Sequence, residues 1–139
     1  MGFTAYLVAT MLVAADVGCA EATHDWREVE AVLQVAHNRS LLRGEPMLDV
    51  LTAHRQFARE CPAHRVRVRH LWAGLRAVVG ALEVPRWLKD PTVQFFCTQR
   101  VAWKWRQRRG WARRIEQVGR LKHLYWRWRP GMAIASNAL

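Results

Sequence analysis

The residue in this chain best placed for chemistry is Glu21, which leaves an apolar segment, Phe3 to Val17, that holds no basic residue. Leu7, Met11, Ala14, Gly18 and Glu21 recur at spacings of 4, 3, 4 and 3, which is one stripe of a helix. A carboxyl that follows such a stripe inward loses solvent and lies at the negative end of the helix dipole. Both effects favour the protonated form, and a carboxyl that keeps its proton near neutral pH is what a general acid requires. The plainer alternative is an exposed acid that caps the helix end or pairs with a neighbour. Asp25 and Glu30 are candidates for a second carboxylate. Glu30 is the poorer one, since it sits beside the apolar residues of a helix built for packing.

Polar and aromatic candidates follow in chain order. Asn38 falls beside an apolar face, in line with Ala31 and Val35, and its amide is either a structural tie or a site residue. Gln56-Phe57 lies in a connecting segment, and His123-Leu124-Tyr125 comes late in the chain. The three cysteines, Cys19, Cys61 and Cys97, are odd in number and far apart, and they form no CxxC pair. Neither a disulfide framework nor a thiolate metal site is expected from them. The spacing Cys61-x2-His64-x5-His70 matches no familiar ligand pattern either. No metal and no cofactor are therefore expected.

These residues need elements to position them. The run from Phe3 has no Lys or Arg before Arg27, and Asp16 interrupts the position where a lipoprotein signal needs an aliphatic residue before Gly18-Cys19. It is also shorter than the roughly 18 residues that cross a bilayer, so it is read as a core helix rather than a targeting or transmembrane segment. Thr23 or Asp25 then caps a second helix whose stripe is Trp26, Val29, Leu33, Ala36 and Ser40, ending near Leu42 before Gly44 and Pro46. A short helix is expected from Met47 to about His54, and an apolar stretch from about Val66 to Leu82. Asp90-Pro91 reads as a helix start, with a helix to about Arg109 and a shorter one to about Val118. Leu124, Trp126 and Trp128 alternate with His123, Tyr125, Arg127 and Arg129, a period of two that suggests a short strand.

At 139 residues the chain is one domain, residues 1–139, with unevenly placed charge. Residues 1–61 carry 5 Lys/Arg against 8 Asp/Glu, and residues 62–139 carry 17 against 3. The basic half expects an anionic partner: nucleic acid, a lipid surface or an acidic polymer. It also holds seven of the eight tryptophans, including Trp103-Lys104-Trp105-Arg106 and Trp126-Arg127-Trp128-Arg129. Interleaved Arg and Trp is the composition of single-strand nucleic-acid channels and of membrane-active helices. The plain alternative is a tryptophan core under a solvated arginine face.

Ala20-Glu21-Ala22, then Glu30-Ala31-Val32 with Val35 and Asn38-Arg39, then Gln56-Phe57, then His123-Leu124-Tyr125, stand in an order that resembles the cell-wall hydrolases related to spore-cortex lytic enzymes. The resemblance spans about residues 12–130. Thr23-His24-Asp25 stands where that family has an Arg-Gly-Glu type turn, and Arg120-Leu121-Lys122 where it has Gly-Ala-Thr.

The resemblance implies a mainly α, compact, lysozyme-like helical domain with at most a short β element near the C-terminus. It implies cleavage of the β-1,4 bond between N-acetylmuramic acid and N-acetylglucosamine in peptidoglycan, as a lytic transglycosylase in which Glu21 is first acid and then base. Asn38, Gln56, Phe57, His123 and Tyr125 become the substrate-binding candidates. The implied partner is the peptidoglycan glycan strand, with action at the cell envelope and no specific nucleic acid; with no convincing signal peptide, the expected route there is a phage or phage-tail particle, whose proteins are then further partners, or release through a membrane pore. The rival expectations are a basic Trp/Arg-rich binding module for single-stranded nucleic acid or anionic membrane, and a non-catalytic component of a phage-like particle.

Overall fold

Helices α1 (Phe3–Ala22) and α2 (Trp26–Arg43) form where the apolar periodicity places them, in a computed structural model that describes residues 2–132. Asp25 caps α2, its carboxylate accepting the Glu28 N–H at 3.4 Å. Gly44 closes the helix with φ 63°, the left-handed conformation in which a β-carbon is strained. The short α3 (Met47–Thr52) and α4 (Val68–Val78) complete a helical layer. Its core is Ala14, Val17, Val29, Val32, Leu33, Ala36, Val50, Leu51, Ala73 and Ala77.

The second half departs from its expected course. The helix expected from Pro91 to about Arg109 is instead strand β1 (Val93–Cys97) followed by helix α5 (Gln99–Gln107). Asp90 does not start a helix: its Oδ1 accepts the Thr92 N–H at 2.9 Å and the Thr92 hydroxyl at 2.7 Å, which closes a turn. The true cap of α5 is Thr98, whose hydroxyl accepts the Val101 N–H at 3.4 Å. Val93, Gln94, Phe95 and Cys97 are all buried. A strand covered on both faces loses the alternation that reveals strands in sequence. Helix α6 (Arg109–Arg114) ends early, and β2 (Ile115–Arg120) replaces the helix expected to reach Val118.

The expected late strand is present as β3 (Leu124–Trp128), and it is the centre of an antiparallel sheet ordered β1-β3-β2. The fold is thus mainly helical, with three strands where one was expected. The alternation in β3 is real and serves two cores. Leu124, Trp126 and Trp128 pack with Phe95, Ala102 and Ile115 under α5 and α6. Tyr125 turns the other way, into a cluster with Ala31, Val35, Leu88 and Val93 against α2. The sheet is a layer between α2 on one side and the tryptophan-rich helices on the other.

Helix α1 is longer than its apolar run suggested. Its 20 residues are long and apolar enough to cross a membrane, by length and composition. In the fold it packs against α2, α3 and α4, with Ala14, Val17, Gly18 and Cys19 buried and Phe3, Val8 and Leu12 exposed. Contact with α4 is closest at Gly74, where an added Cβ would lie 2.6 Å from the Met11 carbonyl oxygen. A backbone oxygen inside a helix cannot step aside. Gly74→Ala should therefore lower the unfolding free energy by about 1–3 kcal/mol, the range for overpacking, read as a lower urea midpoint with an unchanged slope.

Candidate functional site

Two residues along a helix lie roughly 200° apart, and in α2 this sends two acids to opposite sides. Glu30 faces α4 and pairs with Arg76 at 2.8 Å. Burial pushes its carboxyl up, partly offset by Arg76. Glu28 faces β3 and is 1% exposed. One carboxylate oxygen accepts the backbone N–H groups of Lys122 and His123; the other accepts His123 Nδ1 at 2.8 Å and the Tyr125 hydroxyl at 2.7 Å. Burial alone would raise the Glu28 pKa, but these donors outweigh it and hold the carboxyl below its ordinary value. For Tyr125, burial together with the bond to and charge of Glu28 raises the phenol far above its usual range. Because the carboxylate only accepts, His123 Nδ1 carries a proton, and Nε2 is the ring position Glu28 leaves free.

Glu21 lies in the last turn of α1 and is only partly buried, so the stripe does not carry it into the interior. Its Oε1 accepts the Ala58 N–H at 2.5 Å. Two more ties hold the same loop to α1. Asp16 accepts the N–H groups of Glu60 and Cys61 at 3.0 and 2.8 Å. Cys19 and Cys61 form a disulfide with Cα atoms 5.8 Å apart, which corrects the expectation of no disulfide. Cys97 alone is free, and it is buried in the sheet. Just beyond Glu21, Thr23 has φ 51°, a strained conformation for a β-branched residue. His70 Nε2 approaches the Thr23 carbonyl at 2.5 Å and pins that turn.

Arg39 joins the loop to the sheet. It is 5% exposed; its Nε donates to the Gln94 carbonyl at 2.7 Å and its NH1 to Gln56 Oε1 at 2.9 Å. The guanidinium lies 4.8 Å from the centre of the Phe57 ring. Burial and the neighbouring Arg43 push its pKa down to about 9, with Glu21 opposing, so it stays cationic at neutral pH. Phe96 of β1 is the hub of the aromatic contacts, with ring centres 5.9 Å from Phe57, 5.3 Å from His123 and 6.1 Å from Tyr125.

The sequence candidates therefore divide. Glu21, Gln56 and His123 keep exposed surface. Asn38, Phe57 and Tyr125 do not present themselves to a substrate: they are 0%, 8% and 0% exposed. Asn38 is a structural tie. Its Nδ2 donates to the Leu88 and Val93 carbonyls at 2.8 and 2.9 Å, and its Oδ1 accepts Gln34 Nε2 at 2.9 Å. Of the second-carboxylate candidates, Asp25 caps α2 and Glu30 is paired with Arg76. Glu28 and Phe96 were missed. Glu28 was detectable, because Ala31, Val32 and Val35 lie three, four and seven residues after it, on the inward stripe. Phe96 was hidden in a segment taken for helix.

Among the described residues no group of three or more His, Cys, Asp or Glu is placed to hold a metal ion. Comparisons with models of protein families, with curated proteins and with solved structures find no match to this chain.

Two outcomes follow from this geometry. Glu28→Ala strands buried donors on His123, Tyr125 and Lys122, and should cost about 3–5 kcal/mol in chemical denaturation. The folded pKa of Glu28 is depressed, so its contribution is complete above the unfolded value near 4.5 and is lost as pH falls through the folded value. Wild type should lose more stability than Glu28→Gln on acidification below that point. The disulfide closes a separation of 42 residues, and Cys61→Ser should remove up to about 4 kcal/mol. It should also speed hydrogen exchange at Ala58, the amide bound by Glu21.

Proposed function

We propose that this chain is a peptidoglycan-cleaving glycosidase of lysozyme-like fold, acting on the β-1,4 bond between N-acetylmuramic acid and N-acetylglucosamine, with Glu21 as its acid and base. The observation that carries the reading is convergence. Three of the four separated motif elements behind the resemblance are linked through Phe57 and Phe96, with Arg39 on Gln56 and Phe57, Phe57 beside Phe96, and His123 and Tyr125 beside Phe96, while Glu21 joins them through Ala58, the residue after Phe57.

The acids near Glu21 in sequence favour a one-carboxylate reaction. Ordinary glycosidases use two carboxyls about 5–9.5 Å apart. Here Asp16 is engaged by the Glu60 and Cys61 N–H groups, Asp25 is a cap, Glu28 is saturated by donors and Glu30 is paired on another face. In a lytic transglycosylase the Glu21 carboxyl gives its proton to the glycosidic oxygen as the C1–O bond breaks. The resulting carboxylate then takes the proton of the substrate's own C6 hydroxyl, whose oxygen closes on C1 as a 1,6-anhydro ring. Gln56 and the free Nε2 of His123 supply hydrogen bonds to the sugar, and Phe96 supplies an apolar wall.

A disulfide persists in oxidising compartments, which suits action at the cell envelope, with a phage or phage-tail particle as a delivery route. The second reading, a binding module for single-stranded nucleic acid or anionic membrane, is favoured by one observation: residues 98–132 hold eleven Lys/Arg and one acid. A lysis assay separates the two. Wild type should clear purified sacculi and leave 1,6-anhydromuramyl ends by mass spectrometry, and Glu21→Gln should bind sacculi without clearing them. Undiminished clearing by a folded Glu21→Gln variant refutes the assignment, and reducing ends would make the enzyme a hydrolase.

A further inference from the structure

Two cavities on the sheet side share one wall. The first, about 320 Å³, is lined by Arg39, Arg55, Gln56, Phe96, Trp105 and Trp111. The second, about 290 Å³, is lined by Trp105, Arg106, Glu116, Gln117, Trp126 and Arg129. Trp105 lines both, so the two cavities adjoin across its indole, and together they are called the trough. At one end Gln56 and Phe96 adjoin the Glu21 centre: Ala58, two residues after Gln56, binds Glu21, and Phe96 meets His123 edge-on at 5.3 Å. At the other end lie Arg106 and Arg129, in the lobe that holds most of the chain's excess positive charge.

We infer that this trough holds a peptidoglycan strand bearing its peptide stems, with a sugar ring on Trp105 and stem carboxylates at Arg106 and Arg129. The inference rests on the glycan-cleaving reading of Glu21 and names the part of the substrate bound away from the reacting bond. The chemistry fits at three points. An indole presents a flat apolar face to the C–H face of a sugar. Arg106 is held by a bond to Gln117 at 3.0 Å and lies 5.7 Å from the centre of the Trp126 ring, and a guanidinium has five N–H donors, enough to keep some for a carboxylate. Glu116 sits in the same wall, bound by Arg127 at 2.7 Å and Arg129 at 3.2 Å. An acid there opposes the dense phosphate row of a nucleic acid. A strand that carries its carboxylates once per disaccharide meets that opposition only at Arg129, whose guanidinium keeps donors besides the one that Glu116 uses.

The test uses the full chain carrying Glu21→Gln, which binds without cleaving. Its binding to purified sacculi is compared with its binding to glycan strands stripped of peptides by an amidase. Intact sacculi should bind about tenfold more tightly, and Arg106→Gln with Arg129→Gln should abolish that difference. Trp105→Ala should weaken both substrates, with Trp105→Phe restoring most of the binding and showing that the loss is not misfolding. Equal affinity for intact and stripped strands, or full discrimination by the double arginine variant, overturns the inference. Tighter binding of a single-stranded oligonucleotide than of sacculi at physiological salt, weakened in the arginine variant, also overturns it in favour of a nucleic-acid surface. If wild type fails to cleave sacculi while the binding pattern is as expected, the trough stands and only the catalytic reading of Glu21 falls.

Discussion

A carboxylate deprived of water survives ionised only if donors surround it. Glu28 meets that condition with backbone and side-chain groups drawn almost entirely from residues 122–125. Because those residues lead into β3, and β3 is the central strand, the bonds dock the whole sheet on α2. Remove the sheet and a buried charge is left bare; remove the charge and the strand's first donors are left bare. The register of α2 against β3 follows, as does the placement of Phe96, which pairs with Tyr125 across the sheet. The same carboxylate selects the His123 ring proton. One interaction thus sets both the architecture and the chemistry presented by the histidine.

The other half of the site is fixed from α1. Asp16, Cys19 and Glu21 occupy its last two turns, and each takes hold of the segment from Ala58 to Cys61. Arg39 then ties the preceding residues, Gln56 and Phe57, to the Gln94 carbonyl. A loop of this kind would otherwise fray, since Gln56, Ala58 and Arg59 are exposed. It is held instead by a covalent link, carboxylates and a buried guanidinium. The strained Thr23 backbone lies at the seam between these two anchoring systems, a common location for stored strain near functional groups.

The helices were legible in sequence where one face is buried and the other wet. The stripes of α1 and α2, the Asp25 cap and the Gly44 stop all follow from local rules. Strand β3 is covered on both faces too, and was legible for another reason: Leu124, Trp126 and Trp128 alternate with His123, Tyr125, Arg127 and Arg129. Strand β1 was not, because Val93 to Cys97 is covered on both sides and Asp90-Pro91 imitates a helix start. The disulfide was hidden because its partners are distant in sequence and meet only after α1 and the Ala58 loop are docked. At the candidate site, motif order singles out Glu21, Gln56 and His123, and the fold leaves each of them some exposed surface. The division of labour was not visible: Asn38 and Tyr125 look like binding groups until their polar atoms are found already engaged.

The dependence of the proposed site on Glu28 can be measured without touching any group proposed to meet the sugar. Clearing of sacculi by Glu28→Gln should be followed at a temperature where circular dichroism shows that variant folded. With Glu21 intact and His123 no longer held by a carboxylate, turnover should fall by about tenfold or more, as expected when a positioned group is displaced. A folded Glu28→Gln protein that clears sacculi at the wild-type rate would contradict the view that this buried carboxylate organises the site.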